Sequence, residues 1–259
     1  MIKKDPLVSI ITPNFNGEKY LEQTVKSVIN QTYKNIEYIL IDGKSTDRSL
    51  EIIKKYKKKI DYFESKKDKN IFHAVDKGIK KSSGEIIIWI NSDDILHPKA
   101  AENVVKVFKS NTKINWINGI CGYIKFNFKF FFIPYIYPKN IILSGKAHKK
   151  YWGYIQQESV SFKKSLYIKS GGLDTFKGSS GDYKLWQKFS KLSNLNTYYI
   201  KIGYFRNHPS QLSAKKNEYE KFTGNISSKY DLNLKRLIFS LVMLPIIFYK
   251  TIKIRKWKF

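Results

Sequence analysis

The feature that most constrains the fold is an unbroken apolar stretch that is followed, after two polar residues, by two adjacent acids. Residues 85–90 have the sequence EIIIWI and are followed by NSDD at residues 91–94. A strand without polar positions is typical of the centre of a parallel sheet, where both faces are covered. The sequence therefore predicts a buried central strand with Asp93 and Asp94 at its carboxyl end. Adjacent acids also occur as helix caps or solvated turn residues, so the pair alone leaves its role open.

The first 110 residues alternate between strand and helix patterns. Strands are predicted at 7–11, 36–42, 60–65 and 85–90, and the helices that follow them at 18–31, 45–59, 70–84 and 98–110. Apolar residues at helical spacing and Pro98 in a first turn support the helices. Four such units predict an α/β fold with a doubly wound, mostly parallel sheet. Its ligand crevice lies beyond the carboxyl ends of the strands.

The pattern changes after residue 114, which divides a predicted domain of residues 1–231 into two halves. Residues 115–137 are rich in aromatic and β-branched residues and predict a small antiparallel region added to the sheet. Helices are predicted at 163–172 and 181–192, and a further strand at 197–203.

Residues 232–259 form a tail of different character. They contain seven Lys or Arg and no acid around a 13-residue apolar run, 237–249, which Pro245 interrupts. This run is shorter than the ~20 residues that a membrane-spanning helix needs. One interpretation is a basic amphipathic helix that lies on an anionic membrane surface. The alternative is a C-terminal helix that packs on the core.

The chain has a formal net charge of +27, which favours an anionic partner. Only four of its 48 basic residues are Arg, whereas recognition of nucleic acids favours the guanidinium fork. We therefore expect no nucleic-acid partner. The single cysteine, Cys121, excludes an internal disulfide, and the first 15 residues lack a signal-type apolar segment. Both observations predict a cytoplasmic protein.

Polar clusters follow three of the predicted parallel strands, at 12–16, 42–47 and 91–94. Because the carboxyl ends of parallel strands meet at one edge, we expect these clusters to share a crevice. Several carboxylates repel a phosphorylated ligand unless a cation lies between them, so the sequence predicts Mg²⁺ or Mn²⁺ together with a diphosphate. The chain lacks the glycine signatures of dinucleotide-binding and P-loop proteins. Its first loop also lacks the Gly-rich basic sequence of sugar nucleotidyltransferases.

Four segments together resemble the family 2 glycosyltransferases, in particular the bacterial subgroup that acts in surface polysaccharide assembly. Residues 8–53, which begin VSIITPNFNGEKYL, resemble the start of the family sequence. Residues 64–94, ESKKDKNIFHAVDKGIKKSSGEIIIWINSDD, resemble its next segment. The similarity resumes at 156–189 and 205–213. The resemblance implies the GT-A fold and transfer of a sugar from a nucleotide donor to an acceptor.

The resemblance also implies a nucleotide pocket. Thr12, Asn14 and Asp42 would line it for the base and ribose, with Asp42 accepting a hydrogen bond from a uracil-type edge. Asp68 and Asn70 would complete the pocket from the other side.

The segment NSDD falls on the family's D-x-D element, which binds the divalent ion and contacts the nucleotide. Asn91 stands where the first Asp is usual. The resemblance assigns Asp93 and Asp94 to the metal and the diphosphate, with Asp93 also contacting the nucleotide. His208 is a further candidate metal ligand.

In the family, the base that removes the acceptor proton is the Asp of an E-D pair at the start of a helix. Asp182 matches it, while Gly181 stands where the Glu is often found. Asp182 is also compatible with a plain capping role. Gln156, Gln157 and Trp186 are predicted to bind the acceptor, and buried structural amides are the alternative for the two glutamines.

These features predict an inverting, Mn²⁺- or Mg²⁺-dependent hexosyltransferase. It would move a sugar from a UDP-sugar to a polyprenyl-diphosphate-linked or other lipid-linked glycan in O-antigen, capsule or LPS synthesis. Residues 1–114 would form the nucleotide-binding half and 115–231 the acceptor-binding half, and the tail at 232–259 would attach the protein to the inner face of the membrane. The alternative is a non-catalytic protein that binds sugar nucleotides or polyanions on the same fold.

Overall fold

The computed structural model describes residues 5–125, 128–131, 135–147, 153–173, 180–211 and 232–255. The strands are β1 Val8–Asn14, β2 Ile36–Asp42, β3 Tyr62–Ser65, β4 Ile86–Trp89, β5 Ile95–Leu96, β6 Trp116–Lys125, β7 Phe128–Phe131, β8 Val160–Lys163 and β9 Asn196–Arg206. The helices are α1 Leu21–Ile29, α2 Ser49–Tyr56, α3 Ile71–Lys81, α4 Ala100–Ser110, α5 Lys139–Leu143, α6 Lys164–Lys169, α7 Gly181–Leu192 and α8 Leu232–Arg255.

These strands form one sheet in the order β3-β2-β1-β4-β8-β6-β9-β5, with β7 paired to β6. Strand β1 pairs in parallel with β2 and with β4, and β2 pairs in parallel with β3. Strand β9 pairs in parallel with β6. Strand β8 runs antiparallel between β4 and β6. The predicted α/β class with a doubly wound, mostly parallel sheet is confirmed. Strands from both predicted halves share this sheet, and the predicted hairpin in 115–137 is present as β6 and β7.

Three short elements were not predicted, namely β5, β8 and α5. Strand β5 has two residues and β8 has four, which is too short for an alternating pattern to stand out. Helix α6 follows β8 without a loop, so the predicted helix at 163–172 begins one residue too early. The helix ends at Lys169, and the left-handed φ angles of Gly171 and Gly172, 78° and 63°, prevent it from continuing.

Strand β4 is covered on both faces, as its sequence predicts. Ile86 and Ile88 belong to the apolar cluster on the side of α1 and α4, whereas Ile87 and Trp89 belong to the cluster on the side of α3 and α7. All four side chains are buried. The strand therefore ends at the centre of the sheet, and the segment after it lies at the same edge as the ends of β1 and β2.

Helix α8 packs beside β9. Strand β5 pairs with β9 only at Gly203 and Tyr204. Earlier in β9, the backbone N–H of Tyr199 donates to a side chain of α8, to Thr251 Oγ1, at 2.9 Å. The Tyr199 and Phe248 rings lie 4.7 Å apart between centroids. The helix thus covers part of a sheet edge that would otherwise present unpaired backbone groups. Residues 232–255 of the tail are helical, and one side of α8 packs on the domain. None of the helices in the described ranges is long and apolar enough to cross a membrane.

Candidate active site

The loops after β1 and β2 are joined through Asp42. Its carboxylate accepts hydrogen bonds from Asn14 Nδ2 at 2.8 Å, from the Ser45 N–H and hydroxyl at 3.0 and 2.5 Å, and from the Ser65 hydroxyl at 2.6 Å. A carboxylate offers about four acceptor sites, and all are used here. Asp42 has no exposed surface. It therefore holds the loops after β1 and β2 together, and its hydrogen bond from a uracil-type edge stays a prediction.

Two other residues predicted for this wall differ in outcome. Thr12 is completely buried because β1 is an inner strand covered by helices, so the prediction that its side chain lines the pocket is wrong. Asn14 is nearly buried, but its Oδ1 has no hydrogen-bond partner among the described residues. A Cβ on Gly17 would lie 2.2 Å from that oxygen, which explains the glycine. Asn14 thus keeps one buried acceptor without a partner beside Gly17.

Phe15 is an aromatic residue at this wall that was not predicted from the sequence. Its side chain is 65% exposed, although it directly follows a buried strand. A Cβ on Gly43 would lie 3.3 Å from the Phe15 ring, so the ring rests over the glycine backbone. The available sequence signal was an aromatic residue between two asparagines in the loop after the first strand. An exposed ring at this edge offers a surface on which a planar base can stack.

Asp68 and Asn70 lie in the segment that leads into α3. Asp68 Oδ1 lies 2.9 Å from His73 Nδ1 and 3.0 Å from Lys77 Nζ. Asn70 caps the helix, since its side chain accepts from the His73 N–H at 2.9 Å. Both side chains thus shape the segment, and their contact with a nucleotide stays a prediction.

The two adjacent acids after β4 have different environments. Asp94 is buried and accepts from the Arg206 N–H at 2.7 Å, and the buried carboxyl group of Glu158 acts on it. Burial and the Glu158 charge raise the pKa of Asp94 well above its ordinary value. Burial raises the pKa of Glu158 as well. Asp94 is therefore enclosed between Glu158 and the end of β9, and its assignment to the metal stays a prediction.

Asp93 points outward, and His208 lies against it. The Asp93 side chain is 32% exposed, and its Oδ2 lies 3.0 Å from His208 Nε2. The other ring nitrogen of His208, Nδ1, lies 3.0 Å from Ser210 Oγ. A hydrogen-bond partner on one ring nitrogen, here Ser210 on Nδ1, fixes the orientation of an imidazole whose other nitrogen binds a metal. The sequence placed both residues in the site, and the fold brings them together.

Arg206, at the end of β9, holds this arrangement and was not recognised from the sequence. Its buried guanidinium donates from Nε to the Asp93 carbonyl at 2.8 Å and from Nη2 to Gln23 Oε1 at 2.7 Å. It also lies 4.5 Å from the centre of the Tyr20 ring, which in turn contacts the His208 ring at 4.9 Å. One side chain therefore connects α1, the acid loop and the segment that contains His208.

Asn91, which replaces an acid of the family motif, has a structural role. Its Oδ1 accepts from Trp89 Nε1 at 2.8 Å, and its Nδ2 lies 3.4 Å from Asp94 Oδ2. An aspartate here would add a third carboxylate beside Asp94 and Glu158. The amide instead offers a donor to Asp94, which lowers the repulsion in the cluster.

Asp182 lies in the first turn of α7, and its carboxylate accepts from the Tyr183 N–H at 2.7 Å. Burial raises its pKa to about 6. Its charge also acts on Glu158, so the base candidate and the acid loop belong to one electrostatic cluster. A Cβ on Gly181 would lie 2.6 Å from the Phe72 ring. The Phe72 ring therefore takes the space that the glutamate of the family motif would need.

The predicted acceptor residues have three outcomes. Trp186 is 1% exposed and stacks on Trp116 within the core at 5.8 Å, so its assignment to the acceptor is wrong. Gln157 is buried and donates to the Trp89 carbonyl at 2.5 Å, which matches the structural alternative. Gln156 is partly exposed and donates to the Tyr123 hydroxyl at 2.6 Å. Its contact with an acceptor stays a prediction. Glu158, the next acid in this segment, was missed although it lies in the carboxyl cluster.

The donor atoms in the crevice fit a divalent cation only in part. Within the described residues, no group of three or more His, Cys, Asp or Glu side chains is arranged to hold a metal ion. Asp93 and His208 provide one carboxylate and one imidazole. Sites that bind Mg²⁺ or Mn²⁺ with phosphate use one or two carboxylates and complete the shell with phosphate oxygens and water. The pair therefore fits a cation that arrives with a diphosphate.

Solved structures define the class of protein to which this fold belongs. S. aureus TarS 1-349 in complex with UDP-GlcNAc has a TM-score of 0.63 at 15% identity, over 80% of this chain and 60% of that chain. Mannosyltransferase PcManGT from Pyrobaculum calidifontis, in complex with GDP-Man and Mn²⁺, has a TM-score of 0.61 at 15% identity, over 93% and 70%. The fold is the GT-A fold.

The sequence comparisons identify the family. The sequence model of glycosyl transferase family 2 matches residues 9–159, more than half of the chain, and the chain belongs to that family. An uncharacterized glycosyltransferase of Rickettsia typhi is 30% identical over 194 residues, which are 73% of this chain and 60% of that protein. The poly(ribitol-phosphate) beta-N-acetylglucosaminyltransferase TarP of Staphylococcus aureus is 38% identical over 109 residues, 40% of this chain and 33% of TarP. The chain thus spans about 60% of the Rickettsia relative's length.

Proposed function

We propose that this protein is an inverting, metal-dependent glycosyltransferase that moves one sugar from a UDP-sugar to a lipid-linked glycan. The observation that supports this most is the Asp93–His208 pair beyond the carboxyl end of β4, together with Asp182 in the first turn of α7, whose charge acts on Glu158 beside the acid loop. Such a transfer needs a site for the leaving diphosphate and a separate base for the acceptor. The sequence and the fold provide candidates for both.

Asp182 is the proposed base. Its carboxylate takes the proton of the acceptor hydroxyl while that oxygen forms a bond to the anomeric carbon of the donor sugar. The bond from the same carbon to the diphosphate oxygen breaks, and UDP leaves with the electron pair. A pKa raised by burial to about 6 keeps the group ionised at neutral pH and makes it a better proton acceptor than an ordinary Asp.

Asp93 and His208 are proposed to hold Mn²⁺ or Mg²⁺, which when bound supplies positive charge to the leaving diphosphate. Arg206 fixes the loop that carries Asp93 through its bond to the Asp93 carbonyl. Asp94 and Glu158 remain below this surface as a buried pair. The Mn²⁺ complex of the Pyrobaculum mannosyltransferase supports a metal in this class of site.

The donor pocket is proposed to lie between the loops that Asp42 joins. The Phe15 ring would stack on the uracil, and Asn14 Oδ1 would accept a hydrogen bond at the floor. Asp68 and Asn70 would form the opposite wall through the segment that they shape. A UDP-sugar is the proposed donor because TarS binds UDP-GlcNAc, although PcManGT binds GDP-Man on the same fold.

The acceptor is proposed to be a glycan on a polyprenyl diphosphate or a similar lipid, in the synthesis of a surface polysaccharide. By its name, TarP transfers N-acetylglucosamine to poly(ribitol-phosphate), which supports a polymer or its precursor as the acceptor class. A lipid-linked acceptor places the reaction at a membrane surface, and we propose the cytoplasmic face.

Transfer by the purified chain tests the proposal. UDP-, GDP- and dTDP-sugars are offered with and without Mn²⁺, and release of the nucleotide diphosphate is measured with a membrane extract as the source of acceptor. Asp182→Asn should lower turnover by about 10²–10⁴-fold while UDP still binds. Asp61→Asn is the matched control, because Asp61 is exposed and precedes β3 at the opposite edge of the sheet.

Two results would contradict the proposal. If Asp182→Asn retains most of its turnover, another group is the base. If nucleotide sugars bind but no sugar is released or transferred under any metal condition, the alternative of a non-catalytic sugar-nucleotide-binding protein is correct.

A further inference from the structure

Helix α8 presents an apolar face to solvent. Six large apolar or aromatic side chains on it are between 45% and 67% exposed: Ile238, Leu241, Val242, Ile246, Tyr249 and Ile252. They recur every three or four residues, so they form one stripe along the helix. We refer to these six residues as the α8 apolar face. Monomeric proteins in water rarely leave a contiguous stripe of this kind uncovered.

The opposite side of the same helix is already in contact with the domain. Ile247 and Thr251 are both 2% exposed, and Thr251 accepts the Tyr199 N–H of β9. Since positions 247 and 251 lie one turn apart, they define a single contact side. The α8 apolar face is on the other side and points away from the sheet. The two sequence-based interpretations of the tail therefore apply to different sides of one helix.

The charge of the chain decides between the possible occupants of this face. A second copy of the chain would bring together two surfaces that each belong to a molecule of net charge +27, which opposes association. Basic residues also lie at the C-terminal end of the apolar stripe in the sequence, at Lys250, Lys253 and Arg255. Negatively charged lipid headgroups attract such residues while the acyl chains accept the apolar side chains. An anionic bilayer thus satisfies both the apolar and the charged part of the surface.

We propose that the α8 apolar face docks on an anionic bilayer, with the helix lying in the interface rather than across it. An interfacial helix buries its apolar side ~5–10 Å into the boundary between headgroups and acyl chains. Because the other side of α8 is fixed to β9, docking holds the sheet at a defined orientation to the membrane. This inference deepens the proposed function, on which it rests for the location of the acceptor.

Vesicle binding tests the docking surface without any donor, metal or acceptor. The purified full chain is sedimented with phosphatidylcholine vesicles that do or do not contain phosphatidylglycerol. We expect binding to the anionic vesicles and at least about tenfold weaker binding to the neutral ones. The triple variant Leu241→Glu, Val242→Glu, Ile252→Glu should lose vesicle binding by at least about tenfold, since it places three charges on the apolar face.

Ile168→Glu is the matched control, because Ile168 on α6 is 67% exposed, as is Val242, but lies outside the α8 apolar face. It should bind anionic vesicles as the unmodified chain does. Light scattering of the free protein provides the second measurement, and melting temperature and UDP binding of the triple variant confirm that the domain is folded.

Unchanged vesicle binding by the folded triple variant would overturn the proposal. So would equal binding to neutral and anionic vesicles, or a dimer in solution that the triple variant converts to a monomer. Failure of the proposed function has a different signature, namely vesicle binding by a chain that transfers no sugar.

Discussion

His208 Nε2 lies 3.0 Å from Asp93 Oδ2, although 115 residues separate the two in the chain. The contact exists because β9 ends beside the loop that follows β4.

We expect His208→Ala to weaken Mn²⁺ binding in the presence of UDP by at least about tenfold, because it removes the imidazole donor. Electron paramagnetic resonance of free Mn²⁺ measures this directly. His97→Ala is a suitable control, since the His97 ring stacks on Tyr204 and its Nδ1 accepts from the Lys99 N–H. Equal Mn²⁺ affinity of both variants would exclude His208 as a ligand.

The pH dependence of transfer should report the ionisation of Asp182. Burial raises its pKa from 3.8 to about 6, and a base acts only when it is deprotonated. Turnover should therefore rise with pH through about 6 and then level off. Measuring kcat/KM across this range, with metal and donor saturating, locates the rise. Glu158→Gln is the control, because Glu158 is a second buried acid with a raised pKa. The rise should persist in this variant if Asp182 is its source. A profile that is flat around pH 6 in the unmodified chain would contradict the assignment.

We expect Arg206 to affect metal binding by positioning the loop that carries Asp93, without contacting the metal itself. Arg206→Met keeps the length of the side chain but removes its bonds to the Asp93 carbonyl and to Gln23. Loss of such outer partners typically lowers metal affinity by about 10–100-fold. Mn²⁺ affinity should fall accordingly, with a larger effect on the metal dependence of the rate than on the KM for acceptor.

The control for Arg206 is Arg48→Met, because the Arg48 side chain is 77% exposed and pairs with Glu18 at the surface. An exposed ion pair of this kind contributes little to stability. If Arg206→Met shifts only the melting temperature and leaves Mn²⁺ affinity intact, Arg206 has a purely structural role.

Phe15 should contribute to nucleotide affinity and not to stability. Stacking of a base on an aromatic side chain is worth about 1–3 kcal/mol, so Phe15→Ala should weaken UDP binding by about tenfold or more. Isothermal titration with UDP measures the change. The melting temperature should stay the same because the side chain is 65% exposed. Leu50→Ala removes an exposed apolar side chain on α2 and should leave UDP affinity unchanged. UDP affinity that is unaltered in Phe15→Ala would show that the base binds elsewhere.

The alternation of strands and helices in the first 110 residues determined most of the fold. Hydrophobic periodicity is a local property, so the class of the sheet, the central position of β4 and the shared edge of β1, β2 and β4 could be predicted from the sequence. The same holds for the family, whose motifs are contiguous in the chain. The sequence also predicted a helix in the tail, with a membrane surface and the protein core as alternative contacts.

Only the tertiary structure decided which of the polar residues face the crevice. Asp93 and Asp94 are adjacent in sequence, yet one is open and the other is buried against Glu158 and the end of β9. Trp186 and Thr12 are compatible with a site in sequence but are enclosed by the core. Arg206 became recognisable when β9 was placed beside the acid loop. Burial and long-range pairing depend on how distant segments pack, and no local pattern records that packing.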